Sequence, residues 1–283
     1  MHKFIPVFFK IFVLVFFMNP HLPVLPEDRG CHPGCALAGE PAKNHGGKPK
    51  LSDGELKTLK SILTYYYKNP QPDKIPEVAQ LLAEMHKGQK SRVYPLACFF
   101  AEVFKQNENR LMDWEESFRA LPGNFREYMA YALWWSKTKT GANILEAWSK
   151  DEANKSMVQK VRGNPIPDLN IININSPIVL DMLWAAFMAT GDVKHVDRII
   201  GVLAHDKELD TKGMDQDQRK RARREWFVVK AAEWSLTSNA FQHELVYDRL
   251  RSHADSPDQT IRQSTAGILN KVDKRKATQS KKR

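Results

Sequence analysis

His243 and Glu244 open like the zinc-protease helix motif, in which two histidines one turn apart hold the metal and a glutamate between them acts as base. Tyr247 stands where the second histidine belongs, so the pair is incomplete, and no metal or other cofactor is expected. Cys31 and Cys35, in Cys-His-Pro-Gly-Cys, are close enough to join as a disulfide across the Pro-Gly turn in an oxidising compartment. A metal knuckle or redox pair is the other reading of these five residues, but no second ligand pair with metal spacing follows. Cys98, alone in the apolar run Leu96 to Phe100, reads as core volume. Phosphate loops, dinucleotide-binding glycine patterns and Gly-x-Ser-x-Gly elbows are all absent from the chain. Glu102, Glu115, Glu116 and Glu127 could serve as acid and base only if folding gathered two of them in one cleft.

The basic residues are the other chemistry on offer. The chain carries a formal charge of +10, but most of it lies in two runs. Arg219, Lys220, Arg221, Arg223 and Arg224 form one, and residues 271–283, with Lys274, Arg275 and Lys276, form the other. Outside them the protein is close to neutral. Both runs are candidate anion-binding segments. Nucleic-acid binding normally adds exposed aromatics or a recognisable reading element, and neither is evident from the sequence, so anionic lipid head groups or acidic polymers are the nearer partners.

The elements that must position these residues begin after residue 50. In residues 1–38 a basic start is followed by Phe4 to Met18, apolar except for Lys10, in the order of a signal sequence. A membrane anchor is the second choice, because a span of about 20 residues would run into Asn19, Pro20, His21 and Pro23. Ala36-Leu37-Ala38 has the small residues a signal peptidase needs, whereas Asp28 and Arg29 ahead of Cys31 argue against lipidation. Export, to the periplasm or beyond, is therefore expected. Residues 39–50 are polar and Gly-rich and read as a linker.

Residues 51–270 read as one helical domain. Ser52 and Glu55 make a capping box, and Leu56, Leu59, Ile62, Leu63 and Tyr66 share a helical face. Ile75–Met85 and Tyr94–Phe104 form an expected helical pair, as do Leu111–Leu121 and Phe125–Trp135, followed by Ala142–Trp148. Trp114, Phe118, Tyr128, Tyr131, Trp134 and Trp135 recur at helical spacing, which places them in the core rather than in a ligand groove. Gly163, Pro165, Pro167 and an Asn-Ile alternation break the pattern, so 162–176 is expected to be a loop joining halves 51–161 and 177–270. Asn154-Lys155-Ser156 fits the glycosylation acceptor pattern, a short pattern common by chance. A long helix over Asp215–Thr237 is expected to turn Ala222, Trp226, Val229 and Leu236 inward, with Phe227 and Trp234 as a second covered strip, and to leave the basic run in solvent. Phe241–Leu250 and Ile261–Leu269 supply the covering helices, and 271–283 is expected to be a disordered, dispensable tail.

Leu180 to Leu203 contains two apolar-periodic segments meeting at Gly191-Asp192, and it resembles a tetratricopeptide hairpin. Leu183, Trp184 and Phe187 would pack on Val196, Ile199, Ile200 and Leu203. Val196 replaces the usual small residue of the second helix, and the other hairpins do not align to one period of about 34 residues. The resemblance implies partner binding rather than catalysis.

The fold expected is thus all-α: stacked antiparallel helical hairpins, solenoid or superhelix-like, with a disordered basic C-terminal tail. The function expected is a protein–protein adaptor or scaffold of the cell envelope, binding a protein or peptide between hairpins. Two alternatives remain open: a hydrolase of an envelope polymer with paired carboxylates, and electrostatic docking to anionic lipid or, less favoured, nucleic acid.

Overall fold

The protein, represented by a computed structural model, is described over residues 51–85, 93–206 and 208–281. The expected leader, linker and Cys31–Cys35 pair lie outside these residues. Among the described residues the chain is all-α, a helical-hairpin protein of twelve helices joined by short turns. They are α1 (Asp53–Tyr65), α2 (Ile75–Met85), α3 (Val93–Gln106), α4 (Leu111–Arg119), α5 (Gly123–Trp135) and α6 (Lys139–Ser149). Then follow α7 (Glu152–Gly163), α8 (Pro177–Thr190), α9 (Val193–Gly201), α10 (Gln216–Gln242), α11 (Glu244–Ser252) and α12 (Gln259–Ser280). None of these helices is long and apolar enough to cross a membrane.

Helix starts follow side-chain chemistry. Ser52 and Glu55 form the expected capping box on α1, Asp215 and Gln218 form another on α10, and Asp151, Asp192 and Asp258 cap α7, α9 and α12. Helix α7 has too few apolar residues to announce itself: only Val158 and Val161 among them are buried. Asn154, on this helix, is also buried, bonded to Arg126 and Asp151. It is therefore no accessible glycan acceptor.

One apolar core runs from Leu51 to Val272. Its axis is α3, which packs on α5 on one side and α8 on the other. The expected pairing of α2 with α3 gives way to this arrangement, and α2 packs instead on α1 and α4. Sequence neighbours α6–α7, α8–α9 and α10–α11 do pack directly on each other. Because α3 belongs to the expected first half and α8 to the second, the two halves share one core. The connector 164–176 is irregular, as expected, but firmly held. The Arg198 guanidinium donates to the carbonyls of Leu169 at 2.6 Å and Ile172 at 2.5 Å, and Ile166, Leu169, Ile172 and Ile174 pack on the core.

Helix α8 buries ten of its fourteen residues, so its C-terminal carbonyls cannot rely on water and need protein donors. Gly191 N–H donates to Phe187 O at 2.7 Å, Tyr67 N–H to Met188 O at 3.1 Å, and the Gln106 amide to Ala189 O at 3.2 Å. Gly191 adopts the left-handed conformation, φ +72°, and a Cβ there would lie 2.8 Å from the Tyr67 ring. Beyond Gly191, Val196, Ile199, Ile200 and Leu203 are buried in the same core as Leu183, Trp184 and Phe187.

The ring of Tyr67 leads on to the α10–α11 junction, where its hydroxyl shares a 3.1 Å hydrogen bond with His243 Nδ1. The imidazole is wholly buried among Tyr65, Tyr67 and Phe187, and its Nε2 has no partner among the described residues. Burial, assisted by the Lys68 ammonium, pushes its pKa down to about 3.

Two predictions follow from this junction. Phe187→Ala will destabilise the protein by about 3–5 kcal/mol through the cavity it leaves, and Gly191→Ala by at least ~1–2 kcal/mol through left-handed strain; denaturant unfolding reads both. Near-native stability in either would separate α8 from its turn. His243 stays neutral in the fold, while the unfolded chain takes up its proton near the ordinary histidine value of about 6.5. Its contribution is therefore complete above that pH and is lost as pH falls toward 3, at about 1.4 kcal/mol per pH unit. His195, also pushed down by burial, adds in the same direction, so the measurement is the difference in slope between the wild type and His243→Phe. Parallel stability–pH curves would remove His243 from the acid response.

Candidate anion-binding face

Helix α10 is held by its C-terminal half. Its first buried residue is Val228, and no side chain from Gln216 to Phe227 is buried. These three turns stand out from the body, their start secured by the Asp215–Gln218 box and by Asp217 in the first turn. Arg219, Lys220, Arg221, Arg223 and Arg224 all lie on them, exposed. Arg219 turns back to donate to Met214 O at 2.8 Å. Arg221, Arg223 and Arg224 have no acidic partner among the described residues.

Two exposed tryptophans continue this surface. Trp226 is 37% exposed and Trp234 46%, so the expected burial of Trp226 and the expected cover over Trp234 are both corrected. Arg219, Arg223, Trp226, Lys230 and Trp234 recur at intervals of four, three, four and four residues, which aligns them on one face of the helix over about 22 Å. The sequence signal was there, but the inward angle chosen for Val229 and Leu236 also captured Trp226. It sits at the edge of the buried arc, where it stays exposed among the described residues.

Beside Trp234, α10 and α12 enclose a basin of about 430 Å³ that Lys230, Glu233, Lys271 and Arg275 line. Glu233 accepts from Lys271 at 2.6 Å and from Lys230 at 3.4 Å. Burial works against its charge, yet the two ammonium groups hold its carboxyl below the ordinary range. Lys230 is paired with Asp206 as well, so the ammonium groups of the basin are matched by carboxylates, while the Arg275 guanidinium keeps its lining net positive.

Compared with protein families, curated proteins and solved structures, the chain matches none.

The second basic run behaves differently from the first. The segment expected to be a disordered tail is helical to Ser280 as part of α12. Val272 is fully buried, the Tyr247 hydroxyl donates to Asp273 at 2.8 Å, the Arg275 guanidinium lies 4.0 Å from the centre of the Phe241 ring, and the Lys276 ammonium lies 3.9 Å from that of Tyr247. A count of apolar residues misses this docking, because long cationic side chains pack through their stems and through aromatic faces. Of the candidate anion-binding residues here, Arg275 and Lys276 are thus engaged with the body, while Lys274 is exposed.

The carboxylates proposed for catalysis are spread over three helices. Glu115 accepts from Trp148 Nε1 at 2.7 Å, Glu127 pairs with Lys160 at 2.5 Å, and Glu116 is exposed. Glu102, paired with Lys105 at 2.6 Å, lines a cleft of about 310 Å³ between α3, the connector and the start of α9, together with Asp168, Asp192 and His195. Asp192 is occupied in capping α9. Asp168 accepts the Asn170 N–H, which holds its carboxyl below the ordinary range, the wrong direction for a general acid. Among the described residues no group of three histidine, cysteine or acidic side chains is placed to hold a metal, and His243 of the incomplete zinc motif faces Tyr67.

Deleting 274–283 will lower stability by roughly 1–3 kcal/mol, since each cation–π contact contributes about 0.5–2 kcal/mol. An unchanged denaturation midpoint would restore the dispensable tail.

Proposed function

We propose that this protein is a docking adaptor of the cell envelope, built from helical hairpins, that holds an anionic partner on the outstanding turns and tryptophan face of α10. The observation that carries this reading is the exposed run Arg219–Arg224 on turns with no fully buried side chain, three of its arginines lacking any acidic partner among the described residues. Such a run does not help the helix form. The pairs Arg219–Arg223 and Lys220–Arg224 set like charges one turn apart, which costs about 0.2–0.5 kcal/mol each. A partner bearing negative charge would reverse the sign of that term. The aromatic stripe of α4 and α5 offers the adaptor no groove, since Trp114, Phe118, Tyr128, Tyr131 and Trp135 are core residues as expected; the aromatic contribution comes from Trp226 and Trp234.

Binding of a fluorescent polyglutamate peptide, followed by anisotropy at low and physiological salt, tests the reading. Replacing Arg221, Arg223 and Arg224 by Gln will weaken binding by ~1–3 kcal/mol, at about 0.2–1 kcal/mol per exposed charge pair, and leave the unfolding midpoint in place. Binding that is absent in the wild type, or indifferent to both salt and the three substitutions, would dismiss α10 as the docking face.

A further inference from the structure

The polyanion that fits this face best is a bilayer. Resting on the docking reading above, we infer that α10 lies against a membrane containing anionic lipid, with Trp226 and Trp234 at the level of the head groups and the arginines beside them reaching the phosphates.

Three observations select a lipid surface. The basic residues of the first turns fan around the helix: at about 100° per residue, Arg219, Arg223, Lys220, Arg224 and Arg221 spread over roughly 200° of its circumference. A narrow linear partner would meet only part of that fan. With the tryptophan face turned to a plane of phosphates, Arg219 and Arg223 meet it directly and Lys220 and Arg224 bend toward it from the flank, while Arg221 lies on the far side of the helix. Next, the two tryptophans share their face with Arg223 and Lys230, so aromatic and cationic groups are mixed rather than segregated. A helix that enters the interface shallowly has this character, with indoles at the boundary and cations beside them. Finally, both indoles are only partly exposed, 37% and 46%. Their outer parts can enter the head-group layer without leaving the protein, whereas stacking on nucleic-acid bases needs an open ring face.

Charge complementarity sets the expected size of the effect. Near an anionic leaflet each basic residue contributes about 1 kcal/mol, which is roughly fivefold in partitioning. Of the arginines lacking internal partners, Arg223 and Arg224 reach the surface and therefore contribute on the order of twentyfold.

The test is co-sedimentation of the full chain with vesicles of phosphatidylcholine alone and of phosphatidylcholine mixed with phosphatidylglycerol. Use of both compositions separates the α10 contribution from any partitioning of the apolar block Phe4 to Met18, which does not depend on lipid charge. The wild type will bind the mixed vesicles more strongly, and replacement of Arg221, Arg223 and Arg224 by Gln will remove most of that difference. Quenching of tryptophan fluorescence by brominated lipid will drop when Trp226 and Trp234 are both changed to Phe, with circular dichroism confirming the fold of each variant. Equal binding to the two compositions, or quenching unaltered in the double variant, would overturn the lipid assignment. If the protein binds polyglutamate or a single-stranded oligonucleotide through the same arginines but ignores mixed vesicles, the docking reading stands and the lipid partner falls. If it binds none of these probes, both fall.

Discussion

The buried C-terminal end of α8 is the constraint on which the arrangement of the chain depends. Carbonyl groups at the end of a helix that water cannot reach must be matched by donors, and here three segments distant from one another in sequence supply them. The turn after α8 satisfies Phe187, the segment after α1 satisfies Met188, and Gln106 at the end of α3 satisfies Ala189. The end of α3 is thereby fixed beside the end of α8. Two helices that meet in this way cannot be joined by a short hairpin turn, so the hairpins between them are carried as an excursion and close back through the connector. The same junction reaches α10. Tyr67, whose ring forbids any side chain at Gly191, bonds through its hydroxyl to His243 where α10 ends. The anchored half of α10 is therefore tied to the centre of the molecule while its first turns are left outside it.

Much of this was legible because its physical causes are local. The Gly191-Asp192 turn combines a position that needs positive φ with an N-cap immediately after it, and both requirements are written in residue type. The same holds for the boxes at Ser52 and Asp215 and for the aromatics of α4 and α5, whose spacing of three and four leaves one face to bury. Hidden features had nonlocal causes. Helix α7 buries so few apolar residues that only its Asp151 cap marks it, and its burial of Asn154 depends on Arg126 from another helix. The pairing of α3 with α8 across the connector has no local signature, because α8 is apolar on every side and so declares no preferred partner.

The two basic runs show the same division. Composition treats them alike, and a sequence reading that counts apolar residues assigns both to solvent. What distinguishes them is what lies within reach of the stems: Phe241 and Tyr247 present rings to Arg275 and Lys276, whereas among the described residues Arg221, Arg223 and Arg224 stay exposed. Docking of the terminal segment is thus a property of α10 and α11 as much as of its own residues, and one buried valine is enough to set its register.

The exposed run then needs a reason of its own. Stability supplies little, since no side chain of the turns that bear it is fully buried and the like charges Arg219–Arg223 and Lys220–Arg224 repel at helical spacing. Solubility alone would be served by charges of either sign at any surface position, and it would not place Trp226 and Trp234 beside them, because exposed indoles work against solubility. Cations and indoles sharing one exposed helix face, Arg219, Arg223 and Lys230 with Trp226 and Trp234, gain from being together where an anionic surface also offers apolar depth. That joint requirement, rather than the number of positive charges, is what supports α10 as the proposed docking surface.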